Sequence, residues 1–151
     1  MIDIREQIDS DSNTVKSIVA MATDELRSIY RPIKTKVQKR FNKPISIVAI
    51  IKGNVVGSAE LIFNKSTVLV HGLAVSPANR KQGVARALIE YVTLRAQKEG
   101  KAELVLSTIK ETGNTNAFLH MGFIVASEEK SKYFESVRGE QVTLVNMIKM
   151  V

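Results

Sequence analysis

The chain has no cysteine. Its absence excludes a disulfide scaffold, a thiolate metal site and a covalent intermediate on a cysteinyl sulfur, and it fits a reducing compartment. No window approaches eighteen uninterrupted apolar residues, and the amino terminus, MIDIREQIDSDS, is acidic and polar where a signal peptide is basic and then apolar. The expected location is therefore the cytoplasm, with no membrane partner. Aromatic side chains make up only 5% of the chain and form no stacking motif, which argues against nucleic acid as a partner. Two common phosphate loops are also missing. There is no GxxxxGK[ST] of a nucleoside triphosphatase and no GxGxxG after a first parallel strand.

What remains is the composition of one compact domain over residues 1–151, 44% apolar and 25% charged. Lysine and arginine number 22 against 15 acidic residues, a formal charge of +7 that favours an anionic partner without naming it. Part of the excess lies in RPIKTKVQKRFNK, where Lys36, Lys39, Arg40 and Lys43 share a helical face beside a stripe of Ile33, Val37 and Phe41. A solvated helix back explains that pattern without a ligand.

Hydrophobic periodicity divides the chain into elements. IDIREQ reads as a short strand, and SNTVKSIVAMATDELRSI spaces Val15, Ile18, Val19, Ala22, Leu26 and Ile29 as one helix face. Ser12 or Asn13 is its expected cap, and Pro32 closes it before a second, shorter helix. From Ile45 the period shortens. ISIVAIIK, VVGSAELIF and TVLVHGLAV are three β-rich runs with short links, the first link being Gly53-Asn54, so they should form an antiparallel meander. A helix from Gln82 follows, with Ala85, Leu88, Val92 and Ala96 on one side and Gly100 as its C′ residue. Then come the strand AELVLST, a short helix around TNAFLHM, a strand opening at Gly122-Phe123, a polar loop from Glu128 to Glu140, and the final strand QVTLVNMIKM. The last strand alternates Val142, Leu144, Ile148 and Met150, a pattern that serves a core face or a homodimer contact equally well.

The stretch VHGLAVSPANRKQGVARALIEYV turns a strand into a helix through Pro77, two basic residues and a glycine. The first amides of a helix have no internal partner and, with the dipole, attract anions. Gly83 and Ala85 place no large side chain in the way of a phosphate, and Arg80 and Lys81 add charge. At about 1.5 to 3 kcal/mol for each charge-assisted hydrogen bond, several converging amides suffice for micromolar binding of a pyrophosphate.

Arg80-Lys81-Gln82-Gly83-Val84-Ala85 matches [QR]-x-x-G-x-[GA], and ETGNTNAFLHMGF follows later in the chain. In both motifs and in element order, the chain resembles the Gcn5-related N-acetyltransferases. The resemblance implies an α+β fold: a central, mostly antiparallel sheet of six to seven strands, about four helices, and a wedge where the fourth and fifth strands splay. It implies acetyl-CoA as cofactor, no metal, and direct transfer of the acetyl group to a primary amine, small molecule or peptide, in a ternary complex. Leu73, Ala74 and Val75 would offer main-chain groups to the pantetheine arm, Arg80, Lys81, Gln82, Gly83, Val84 and Ala85 would wrap the pyrophosphate, and Asn114 would reach the cofactor.

Transfer needs a neutral amine. For a lysine-like amine, neutrality at pH 7 costs roughly 4.6 kcal/mol, so a base must help. The serotonin N-acetyltransferase branch carries a histidine where His71 stands, four residues before Val75, and a histidine of ordinary pKa near 6.5 can take the proton. A hydrogen-bonded structural role fits His71 equally. His120 reads as a surface residue, and Glu60 and Glu103 are reserves acting through water. Many family members protonate the leaving thiolate with a tyrosine, but the ungapped alignment on Gly122-Phe123 puts Phe118 at that position, so that acid is missing. A thiol of pKa about 8.5 leaves as thiolate at pH 7 for only about 2 kcal/mol, so water or Tyr133 can replace it. Arg27, Tyr30 and Arg31 are the candidate acceptor-binding residues. A non-catalytic module that merely holds CoA or an acyl-CoA is the competing reading.

Overall fold

The computed structural model describes residues 1–36 and 43–151. Eight strands form one sheet in the order β1-β3-β4-β5-β6-β8-β7-β2. They are β1 (Asp3–Glu6), β2 (Tyr30–Pro32), β3 (Ile45–Ile51), β4 (Asn54–Phe63), β5 (Thr67–Val75), β6 (Glu103–Ile109), β7 (Ile124–Ser136) and β8 (Gln141–Met150). The described residues also form three α-helices, α1 (Ser12–Leu26), α2 (Val84–Lys98) and α3 (Thr115–His120), and three single 3-10 turns. The α+β class is as expected, with eight strands where six to seven were expected and three α-helices among the described residues. No helix of the described residues is long and apolar enough to cross a membrane.

The core lies between α2 and the centre of the sheet. Leu88, Ile89, Val92 and Ala96 of α2 are essentially buried against Ile47, Ala49, Ala59, Leu61, Val68, Val70 and Leu104. Full burial of each large aliphatic side chain contributes about 1.5–3 kcal/mol, so this helix is held by its apolar stripe and not by propensity. Strands β3, β4 and β5 form the expected antiparallel meander. The turn between β3 and β4 is Lys52-Gly53 and not Gly53-Asn54: both residues have positive φ, 50° and 80°, and Ile51 pairs with Asn54. Two successive left-handed residues give the hand of hairpin turn that suits twisted strands.

Several expectations are corrected. Strand β7 continues to Ser136, through most of the segment read as a polar loop, because it pairs with β8 on one side and its end pairs with β2 on the other. Within the segment read as a loop, Glu128, Glu129 and Lys130 are exposed, so their polarity reflects solvent. The first helix, expected to run through Ile29, ends at Leu26, and Tyr30–Pro32 forms β2, which was not expected. The helix expected after Pro32 begins instead with a turn, and the rest of that expectation, including Lys39, Arg40, Val37 and Phe41, lies outside the described residues. Neither Ser12 nor Asn13 caps α1. Asp11 occupies the cap position, but its carboxylate is turned backwards, accepting the Ile8 amide at 2.9 Å and a bidentate pair from Arg5 at 2.7 and 3.1 Å. Asp11 is consequently buried, and the Arg5 guanidinium and the Ile8 amide hold its carboxyl below the usual range.

The sheet opens at one place. Strands β5 and β6 are its parallel pair and meet only at Thr67↔Glu103, Val68↔Leu104 and Leu69↔Val105. Farther along, β6 follows β8 as far as Ile109↔Leu144, while β5 follows β4 as far as Val75↔Gly57. The two strands part after three residue pairs, leaving a wedge. A bulge sits at the start of the opening: Ser58 pairs with Ala74 but Glu60 with His71, so β5 carries one extra residue, and Gly72 beside it has φ of 63°. Bulges of this kind re-aim a strand.

Candidate active site

The wedge leads into a cleft of about 520 Å³. Leu73, Ala74 and Val75 of the re-aimed strand line it, on the edge that β6 has left. Asn79, Arg80, Lys81, Gly83, Val84, Ala85 and Arg86 form its second wall, and Asn114, Ala117, Phe118 and Met121 of the α3 region form the third. Ala22, Glu25 and Leu26, at the end of α1, close the remaining side.

The loop into α2 is built to present amides. Lys81 has φ of 61° and Gly83 of 84°, and two left-handed residues so close together curl successive N–H groups towards one side, the arrangement of an anion nest. Helix α2 begins at Val84, two residues later than the sequence analysis placed it, with Gly83 as its cap. Ala87 is the first residue bonded into the helix, its amide reaching the Gly83 carbonyl at 2.9 Å. The amides of Val84, Ala85 and Arg86 therefore have no partner within the helix, and no side chain caps them. A glycine is required at position 83 by its φ, not by crowding, since a Cβ there would meet nothing within 4 Å. The crowded glycine is Gly57 on β4. A Cβ there would stand 2.8 Å from Cγ1 of Val84 and 3.1 Å from the Ala74 carbonyl oxygen, so its absence lets the start of α2 sit directly on the sheet.

The charges around this nest are mostly positive. Arg80, Lys81 and Arg86 line the cleft, and Glu25 is the one carboxylate among its described lining residues. Arg80 Nη1 reaches Glu25 Oε2 at 2.7 Å. Arg86 Nη2 donates to the His120 carbonyl at 3.1 Å, tying the first turn of α2 to the end of α3. Phe118 packs edge-on to the buried Phe123, ring centroids 6.0 Å apart, and so presents a hydrocarbon surface to the cleft.

Most of the residues selected from the motifs converge on this cleft: Leu73, Ala74, Val75, Arg80, Lys81, Gly83, Val84, Ala85, Asn114 and Phe118. Gln82 belongs to the loop but does not line the cleft. His71 lies two residues before Leu73, beside the bulge and opposite Glu60, is half-buried, and is not among the residues lining the cleft. Tyr133 is on β7, where its carbonyl accepts the Ile33 amide at 2.8 Å, and is not among the lining residues. The acceptor candidates gather in a corner where β2 meets β7. Arg27 lies over the rings of Tyr30 and Phe134, at 5.1 and 6.0 Å, and its buried Nη1 has no hydrogen-bond partner. Arg31 is occupied by Glu135 at 2.8 Å. This corner begins one residue beyond Leu26. The cleft is also lined by Ala22, Glu25, Leu26, Asn79, Arg86, Ala117 and Met121, none of which the motifs point to. Ala22 and Leu26 belong to the helix face that the spacing predicts, and Glu25 lies beside them on the cleft wall.

A sheet opened by one splayed parallel pair, with a strand edge and a helix amide nest facing each other across the gap, defines an acyltransferase framework for a long phosphorylated carrier. The chain belongs to the acetyltransferase (GNAT) family, whose model matches residues 15–123. The fold is shared with the ribosomal-protein-S18-alanine N-acetyltransferase of Escherichia coli, at 18% identity and a TM-score of 0.75 over 100% of this chain and 94% of that one. A GCN5-related N-acetyltransferase from Kribbella flavida aligns at 19% identity and a TM-score of 0.74, over 99% and 98% of the two chains. An aminoglycoside 6'-N-acetyltransferase complexed with coenzyme A aligns at 12% identity and a TM-score of 0.72, over 98% and 96%. Among curated proteins no sequence matches.

Proposed function

We propose that residues 1–151 act as one N-acetyltransferase domain that uses acetyl-CoA and acetylates a primary amine in a ternary complex. The observation that carries this reading is the continuity of the cleft. It joins the free edge of β5 at Leu73–Val75 to the uncapped amides of Val84–Arg86, so an extended amide-bearing arm and a diphosphate fit along one path. When bound, acetyl-CoA supplies a thioester whose carbonyl carbon is attacked by the amine nitrogen, the carbon–sulfur bond breaking to release the thiol.

The chain's own residues divide the work. Main-chain groups of Leu73, Ala74 and Val75 hold the arm as another strand would be held, and Lys81, Gly83, Val84 and Ala85 surround the diphosphate with N–H groups and charge. Asn114, at the start of α3, reaches the carrier from the opposite wall. His71, at the bulge where β5 turns into the wedge, takes the amine proton through water, with Glu60 across the strand pair as its neighbour. Phe118 cannot return a proton to sulfur. It shields the carrier from water and leaves thiolate departure to solvent, at the modest cost given above. The acceptor enters from the corner of Arg27, Tyr30 and Phe134.

The test is a melting-temperature panel with CoA, acetyl-CoA and longer acyl-CoAs, followed by an amine and peptide screen that reads free thiol release. Stabilisation by CoA and amine-dependent release are expected. Binding with no turnover across a broad screen would leave a carrier-binding module in place of an enzyme.

A further inference from the structure

Glu25 is chemically out of place. It is a carboxylate on the wall of a cleft whose other charged lining residues, Arg80, Lys81 and Arg86, are cations suited to phosphate. It is not idle there, because its Oε2 lies 2.7 Å from Nη1 of Arg80, the first residue of the glycine-containing motif. The contact joins the last turn of α1 to the loop that opens α2, elements 55 residues apart in sequence. Both side chains keep substantial exposure, 52% for Glu25 and 40% for Arg80, so water can replace either partner and the pair can open.

We propose that Glu25 is a built-in counter-anion: it pairs with Arg80 and competes with the carrier's diphosphate for that guanidinium. The proposal rests on the acetyl-CoA reading above and adds to it a residue that tunes how tightly the carrier is held. A diphosphate arriving at the nest must draw Arg80 away from Glu25. After transfer, the return of Glu25 to Arg80 favours departure of the spent carrier. The opposite role, in which Glu25 orients Arg80 towards phosphate, predicts effects of the opposite sign.

The variant Glu25→Gln removes the charge and keeps the shape on an exposed helix position. CoA and pantetheine, which lacks the diphosphate, are titrated calorimetrically into wild type, E25Q, R80Q and the double variant, at low and at about 0.5 M salt. E25Q is expected to bind CoA about two- to fivefold more tightly at low salt, the scale of one partly exposed charge interaction. That gain should shrink at high salt, be absent for pantetheine, and be absent when R80Q is compared with the double variant. Unchanged or weaker CoA binding by E25Q overturns the proposal, as does an equal gain for pantetheine or a gain that persists without Arg80. If wild type binds no CoA, the acetyl-CoA reading fails and this proposal fails with it, an outcome distinct from intact CoA binding that ignores Glu25.

Discussion

Replacing Gly57 by alanine adds one methyl group at the point where the sheet sets the height of the amide nest. The new carbon would stand 2.8 Å from Val84 Cγ1, 3.1 Å from the Ala74 carbonyl oxygen and 3.5 Å from Leu88 Cδ1. Val84 and Leu88 are 2% and 0% exposed, so neither can swing into open space. Overpacking of this kind costs about 1–3 kcal/mol, while the loss of glycine's freedom in the unfolded chain returns about 0.4–1 kcal/mol. The net destabilisation is at most about 2.6 kcal/mol, a fall of up to about 10 °C in melting temperature for a chain of this size. Because Val84 is the first residue of α2, the strain is relieved by lifting the helix start, which misaligns the nest. Loss of one amide–phosphate hydrogen bond, about 1.5–3 kcal/mol, weakens CoA about 10- to 100-fold. Calorimetric titration with CoA and a thermal melt of the same G57A sample read both effects. A variant that melts early yet binds CoA as wild type would refute the coupling of sheet packing to the nest, and one unchanged in both would refute the packing itself.

Other substitutions separate conformation, charge and chemistry. Gly83→Ala meets no steric obstacle but must hold φ of 84°, so it should lose about 1–2 kcal/mol of stability by chemical denaturation and bind CoA less well. Asp11→Asn tests the ion pair with Arg5. Because the folded Asp11 carboxyl is held below its ordinary value, its stabilisation is complete above the unfolded value near about 3.9 and is lost as pH falls through the lower folded value. The melting-temperature gap between wild type and D11N should therefore be constant near neutrality and close below about pH 4. His71→Ala should lower turnover by about 100-fold or more with CoA affinity unchanged in a thiol-release assay, whereas unchanged turnover would remove His71 from the proton path. Phe118→Tyr should speed turnover at most about 30-fold, the whole of the roughly 2 kcal/mol thiolate penalty.

Much of this was legible because the relevant features are local. The strand runs of the meander, the stripe of Leu88, Val92 and Ala96, and the break at Arg80–Gly83 each announce themselves within a dozen residues. The family resemblance carried by the two motifs is borne out. What was not legible depends on contacts between distant segments. Strand β2 exists because Tyr30–Pro32 finds Phe134–Ser136, and the extension of β7 through Glu128–Ser136 was hidden because that mostly polar run has no apolar alternation to detect. The role of Gly57 rests on Val84, 27 positions away, and Glu25 looks like any helix-surface carboxylate until Arg80 is placed beside it. The same holds for Asp11, whose partner Arg5 turns a nominal helix cap into one half of a partly buried ion pair.

The central claim is that backbone amides opening α2, together with the free edge of β5, hold the acetyl carrier. Amide chemical shifts followed by NMR during titration with CoA read those groups one by one. Large shifts confined to Leu73–Val75 and Lys81–Arg86, with smaller ones at Asn114, are predicted. Saturation with CoA that leaves the Gly83, Val84 and Ala85 amides unmoved, or that perturbs a different surface, would contradict it.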